Sequence, residues 1–178
     1  MDGKANSLRW LSDAKKLEVP FFQRPYVWDN ENFESLIESF TDVPSNTMPF
    51  FGSVILKKLS SDYNEEYLVI DGQQRITTFN VLIRALLDIK QKFSTTVSPI
   101  VELTLKGYVY HIDVDEDGNE KFTTKLIPSN PDKKSFTKVM DSTVSRPLDL
   151  ADLSNSPIEN AYKYFYSFFS SAENLGKR

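Results

Sequence analysis

Cysteine is absent from this chain of 178 residues, and histidine occurs once, as His111. The first absence excludes disulfides, thiolate metal sites and thiol nucleophiles together, and suits a reducing cytoplasm. The second makes a histidine-rich metal centre hard to build. No apolar run approaches ~18 residues, so no transmembrane helix and no membrane partner are expected. Met1-Asp2-Gly3-Lys4 lacks the basic-then-apolar layout of a secretory signal. Excess positive charge is missing too. A formal net charge of -4 and a pI near 5.1 weigh against unaided binding to duplex DNA. Core-forming material is plentiful: 40% of the residues are hydrophobic and 13% aromatic.

The pattern along the chain predicts an α+β protein. Leu8 to Leu11 reads as a short helix and Leu17-Glu18-Val19-Pro20 as a strand. Asp29 or Asn30 caps a helix whose Phe33, Leu36, Ile37 and Phe40 share one face. Pro44 to Pro49 reads as loop, Gly52 to Leu56 as a strand and Ser60 to Glu66 as a polar connection. Tyr67-Leu68-Val69-Ile70 is a continuous apolar run, expected to be a strand buried on both faces. A helix with the stripe Ile76, Phe79, Leu82, Ile83, Leu86 and Leu87 follows it. After Lys92, strands are predicted over Val101–Leu105, Tyr108–Val114 and Lys121–Ile127, the last two joined through Asp117-Gly118. Ser135 to Met140 reads as a short helix. Ser156-Pro157-Ile158-Glu159 is a capping box opening a helix with Tyr162, Phe165, Phe168 and Phe169 on one face. Two parts are expected, a core over residues 1–92 and an α+β extension over 93–178. The aromatic face of the final helix is expected to be exposed, awaiting cover by a continuation of the chain.

Between the buried strand and the long helix stands Asp71-Gly72-Gln73-Gln74-Arg75. The first amides of a helix have no intrahelical acceptor and carry partial positive charge, so this turn is suited to phosphate. Gly72 lets the backbone bend and a ligand approach closely. Arg75 adds a planar cationic fork, and Thr77 and Thr78 add hydroxyls. Asp71, beside phosphates, calls for a divalent cation such as Mg²⁺ or a water to activate. Gln73 and Gln74 can orient a water or read a polar edge. The competing reading is a capped turn in which Asp71 caps the helix and Arg75 pairs with it.

Pro20-Phe21-Phe22-Gln23-Arg24-Pro25-Tyr26-Val27-Trp28 forms a second constellation. Its prolines impose an extended path from which Gln23 and Arg24 can reach a ligand, while Tyr26 or Trp28 can stack on a base. The competing reading makes the aromatics core and pairs Arg24 with an acid at a helix start.

In this order the segments resemble the N-terminal domain of GmrSD-type, modification-dependent restriction endonucleases. The resemblance is carried by residues 19–28, by Leu36-Ile37-Glu38-Ser39-Phe40, by Phe51-Gly52-Ser53-Val54-Ile55 and by residues 69–78. It is close over 8–92, and Asn160 to Phe165 resembles a later helix of the family. It implies a ParB/sulfiredoxin-like fold, with nucleoside triphosphate binding and hydrolysis coupled to DNA restriction or phage defence. Gly72, Arg75, Thr77, Gln23 and Arg24 would then bind phosphate, and Asp71, Gln73 and Gln74 would be catalytic. DNA would be cut by a nuclease domain elsewhere in the protein or in a partner, since a His-Asn-His motif is not found here. ParB-type domains hold phosphate on a Gly-Glu-Arg-Arg turn, with which only Gly72 and Arg75 agree. Sulfiredoxin chemistry needs a cysteine, which this chain lacks. Two other readings stand beside hydrolysis: a nucleotide switch without turnover, and direct DNA recognition through the Gln23–Trp28 loop.

Asp113 to Gly118 imitates the opening of a calcium loop, but Thr124 stands where a bidentate glutamate is needed, so a solvated hairpin tip is expected. His111 falls in a period-two pattern and is expected to be an ordinary strand residue.

Overall fold

A computed structural model describes residues 8, 10–42, 44, 50–59, 65–93, 98–144 and 146–171. The expected loop beyond Pro44, most of the Ser60–Glu66 connection and the C-terminal tail lie outside the described residues. The chain is α+β. It begins with α1 (Trp10–Asp13), β1 (Lys16–Glu18), α2 (Asn30–Thr41), β2 (Ile55–Lys58), β3 (Glu66–Asp71) and α3 (Gln73–Phe93). It continues with α4 (Pro99–Val109), β4 (Tyr110–Val114), β5 (Glu120–Thr124), β6 (Leu126–Ile127), α5 (Lys133–Met140) and α6 (Pro157–Ser170).

One sheet has the order β2-β3-β1-β6, with β1 parallel to β3 and β6 and β2 antiparallel to β3. The second sheet is the β4–β5 hairpin, whose tip is closed by the Asp115 carboxylate accepting from the amides of Asp117 and Asn119. In the first sheet, alternation sends Leu17, Val69 and Leu126 into the core. Glu18, Leu68 and Ile127 stand in register on the opposite face. Only Val69 of β3 is fully buried, so the strand is not enclosed on both faces as its apolar run implied. The outer face is partly covered by the loop after β1.

The segment expected as a strand over Val101–Leu105 is helical. Its branched and leucine-rich composition imitates a strand, but Pro99 occupies the start of α4, and Glu102 pairs with Lys106 one turn on at 2.9 Å. Leu105 and Tyr108 then pack against the core. The strand expected to start at Tyr108 therefore starts at Tyr110. Lys125 separates β5 from β6, where a single strand was expected.

The aromatic face of α6 is covered within the chain at Tyr162 and Phe165 and partly at Phe168 and Phe169. This helix packs extensively on α3; Tyr162 and Phe165 are fully buried, and Phe33 of α2 lies 5.2 Å from the Phe165 ring. Ser156 caps the helix by accepting from the Glu159 amide, but the Glu159 carboxylate turns to Ser154 rather than completing the box. Residues on both sides of position 92 thus share one hydrophobic core. Asp88 ties this core together. Its carboxylate takes Arg84, Arg146 (3.2 Å) and the Tyr162 hydroxyl (2.6 Å). A carboxylate so enclosed is tolerated because each oxygen is paired.

Candidate functional site

β1 and β3 run parallel, so their C-terminal ends, and the loops leaving them, fall on one edge of the sheet. That edge is where α/β sheets commonly build ligand sites. The Pro20–Trp28 loop leaves β1 there, the Asp71–Arg75 turn leaves β3, and the Pro128–Asp132 segment leaves β6. Two stretches some fifty residues apart in sequence are thereby brought into direct contact.

The contact is made by glutamines. Gln23 Nε2 donates to the Ile70 carbonyl at 2.8 Å, and Gln73 Nε2 donates to the Arg24 carbonyl at 2.8 Å. Gln74 uses both ends of its amide: Nε2 donates to the Pro25 carbonyl at 3.1 Å, and Oε1 accepts from the Val27 amide at 3.0 Å. Gln73 and Gln74 are each only 8% exposed. Both ends of the buried Gln74 side chain are thus committed to the loop backbone, and its geometry is that of a clamp. Gln73 Oε1 has no hydrogen-bond partner among the described residues, and Nε2 keeps its second N–H.

Tyr26 is likewise structural. It is buried, and its hydroxyl sits 2.6 Å from Thr78 Oγ1, which itself donates to the Gln74 carbonyl. Burial pushes the Tyr26 hydroxyl pKa well above its ordinary value. Base stacking by Tyr26 is thus excluded, and the core reading applies to it. Trp28 packs half-buried on the core. Phe21 and Phe22, not singled out in the sequence, are the exposed rings of this loop, at 87% and 65%. Thr77 is buried.

Gly72 adopts φ +89°, and a Cβ there would meet Val54 Cγ2 at 3.0 Å and the Ser53 carbonyl at 3.1 Å. Glycine is thus required by conformation and by space together. Gly72 also precedes the first turn of α3, its carbonyl accepting from Ile76 N at 3.0 Å. Having no side chain, it cannot itself cap the amides of Gln73, Gln74 and Arg75, and no side-chain cap reaches them among the described residues. The Arg75 guanidinium lies over Gly52, where a Cβ would stand 2.5 Å from Nε, and makes one long hydrogen bond of 3.3 Å to the Ser53 carbonyl.

Asp71 and Arg24 are exposed. Among the described residues no ion pair joins Asp71, Arg24 or Arg75 to any partner. The alternative of an Asp71 cap paired with Arg75 is therefore not what the chain adopts. Two cations and one carboxylate are held on one edge of the molecule by a scaffold of side-chain amides. No group of three or more His, Asp or Glu side chains that could hold a metal ion gathers among the described residues.

Residues 8–175 match the family model described as GmrSD restriction endonuclease, N-terminal domain. The chain belongs to that family. The match extends well past residue 92, consistent with a core to which both α3 and α6 contribute. No curated protein matches the chain. Among the described residues no helix of this GmrSD N-terminal domain is long and apolar enough to cross a membrane.

Three contributors to the site carried no local signal in the sequence. Gly52 makes room for Arg75. Asp132 accepts from the Tyr26 amide at 3.0 Å and from Ser129 Oγ at 2.8 Å, fixing the loop from 106 residues away. Ile70 contributes only a carbonyl. A cavity of about 330 Å³ opens beside them on the outer face of the sheet, between Phe21, Phe22 and the Glu18-Leu68-Ile127 row.

Proposed function

We propose that the Asp71–Arg75 turn binds the phosphates of a nucleoside triphosphate, and that this domain hydrolyses it in support of DNA restriction. The observation that carries the reading is the separation of Asp71 from Arg75. Neighbours on one turn with opposite charge would ordinarily neutralise each other; here Arg75 is laid over Gly52 instead, and both charges remain available. The uncapped amides of Gln73 to Arg75 add donors in the same place.

In this reading Arg75 and the backbone after Gly72 hold the phosphates, with Arg24 approaching from the neighbouring loop. Asp71 holds Mg²⁺ or positions the attacking water. A single carboxylate suffices for Mg²⁺ at a phosphate site, because the phosphates supply further oxygens; the ion would offset the charge that builds on them. Gln73 Oε1 is the amide atom placed to accept from a water, while Gln74 and Gln23 act by positioning the loop. Thr77, being buried, has no part. The catalytic effect is then mainly electrostatic. The ParB/sulfiredoxin-like reading of the fold belongs to the same proposal and rests on the order of the motifs. DNA cleavage would belong to a nuclease domain acting with this one.

Phosphate release from triphosphate and Mg²⁺ by the full-length protein tests the reading. Asp71→Ala is expected to lower turnover about 100-fold with little change in nucleotide affinity, a typical loss for one electrostatic contributor. Arg75→Ala is expected to weaken both. Unchanged turnover in both variants would sink the assignment, and nucleotide retained intact for hours would favour a switch without hydrolysis. The exposed Phe21 and Phe22 beside Arg24 favour a second reading, direct contact with DNA. That reading requires DNA binding that weakens steeply with salt and is lost on Arg24→Ala.

A further inference from the structure

A second cavity, of about 270 Å³, lies between α3, α4 and the β4–β5 hairpin, away from the Asp71–Arg75 turn. Arg84 and Lys90 approach it from α3, Lys106 from α4 and Arg146 from the segment after α5, while Glu102 is the one carboxylate on its wall. In a chain of net charge -4, such a convergence runs against the bulk composition. Lys90, in the last turn of α3, complements the helix dipole, but that does not account for cations brought in from other elements.

Charge accounting favours an anion. Asp88, behind the wall, serves both arginines, and Glu102 serves both lysines, through Lys90 and through Lys106 at 2.9 Å. Two positive charges are left over. Asp141, whose carboxylate is bonded by the Thr143 hydroxyl and amide, keeps its negative charge beside Arg146 and reduces this surplus to one. Arg84 is almost wholly buried, yet its Nε has no hydrogen-bond partner. Arg146 commits four of its five N–H groups to Asp88 and to the carbonyls of Val139 and Asp141. The arginines, 8% and 4% exposed, therefore supply mainly field, and the lysines supply the donors within reach of solute. Each lysine ammonium has three N–H groups, of which Glu102 takes one. The lysines are also partly exposed, at 28% and 30% of their side chains, so solute can reach them. Phe122, with the Lys106 ammonium 5.2 Å from its ring centroid and the buried Tyr110 at its side, supplies aromatic surface on the same cavity.

We propose that this cavity is a second anion site, taking a small phosphate ester whose anionic head is held by Lys90 and Lys106 and whose planar body lies on Phe122. Its volume is near the lower end of ligand pockets, matching a single phosphorylated ring rather than a polymer. Along α3, Arg84 is roughly 16 Å from Gln73 and Lys90 roughly 25 Å, by the helical rise. The two sites are therefore separate.

Phenyl phosphate titrated into the intact chain by calorimetry tests the proposal. The Arg75→Ala variant, with the turn disabled, is expected to bind as the parent does. The double variant Lys90→Gln/Lys106→Gln is expected to bind at least about tenfold more weakly, with Lys106→Arg retaining affinity. Unchanged melting of the double variant shows that the loss is local; should it melt early, shifts of the Tyr110 and Phe122 resonances on adding phenyl phosphate to the parent chain decide instead. No binding by the parent, equal binding by the double variant, or unmoved resonances would overturn the proposal. So would binding of duplex DNA that depends on both lysines while phenyl phosphate is ignored.

Discussion

The side-chain amide of Gln74 brackets Tyr26, accepting from the Val27 amide on one side and donating to the Pro25 carbonyl on the other. A ring flanked in this way has its backbone fixed and its hydroxyl directed onto Thr78, one turn further along the same helix. The adjacent glutamines, which as residue types suggest water handling, thus join the two loops of the site.

Loss of that bracket should loosen the loop without destroying the fold. Gln74→Ala is expected to destabilise the domain by about 1–3 kcal/mol, since it leaves a backbone donor and an acceptor without partners. Gln74→Glu should cost a similar amount, because its carboxylate can accept from Val27 but cannot donate to Pro25. Chemical denaturation measures the cost, and hydrogen exchange at residues 24–28 should accelerate in both variants. Exchange rates equal to the parent's would show that the bracket does not hold the loop.

Gly52 should behave as a site residue although it touches no ligand in the proposed chemistry. Gly52→Ala places a Cβ against Nε of Arg75 and asks an L-residue to adopt φ +98°. Arg75 is then expected to swing off its seat, and nucleotide affinity to fall toward that of Arg75→Ala. The strain itself should cost about 1 kcal/mol of stability. Normal affinity together with normal melting would show that Arg75 does not need the seat.

Lys125 supplies a pH signature. It is buried, and its ammonium donates to the carbonyls of Leu11, Ser12 and Gly107 at 2.7–3.0 Å. Burial lowers its pKa from an ordinary 10.5 to about 8, with Asp13 pulling the other way. Above about 8 the folded chain has lost this proton while the unfolded chain keeps it until about 10.5. The unfolded state therefore binds more protons in that window, and stability should rise with pH, by at most about 3 kcal/mol across it. Tyr67, whose hydroxyl burial and Glu65 push up to about 12, acts in the opposite sense only above about 10. Denaturation midpoints between about pH 8 and 9.5 should therefore climb in the parent and stay flat in Lys125→Met. A slope shared by both proteins would assign the effect to other groups.

Much of the site was legible in the residues alone. An apolar run meeting Asp71-Gly72, with an amphipathic stripe after it, can only be a strand, a turn and a helix, because periods of two and 3.6 are read directly from apolar spacing. Asp29 announced the cap of α2, and Asp117-Gly118 the hairpin, for similarly local reasons. What spacing does not encode is which distant groups a side chain meets. The glutamines' bonds to residues 24–27, Asp132 beneath Tyr26 and the seat of Arg75 on Gly52 all join segments far apart in sequence. Local composition misled for the same reason at Val101–Leu105, where packing and a proline start outweighed strand propensity, and at α6, whose aromatic face found α3 within the chain. The sequence by itself thus determined the family, the turn and its charges. Only the tertiary structure decided that Gln74 is a clamp and that Asp71 and Arg75 stay apart, because both depend on partners that lie far along the chain or beside a glycine that no periodicity marks.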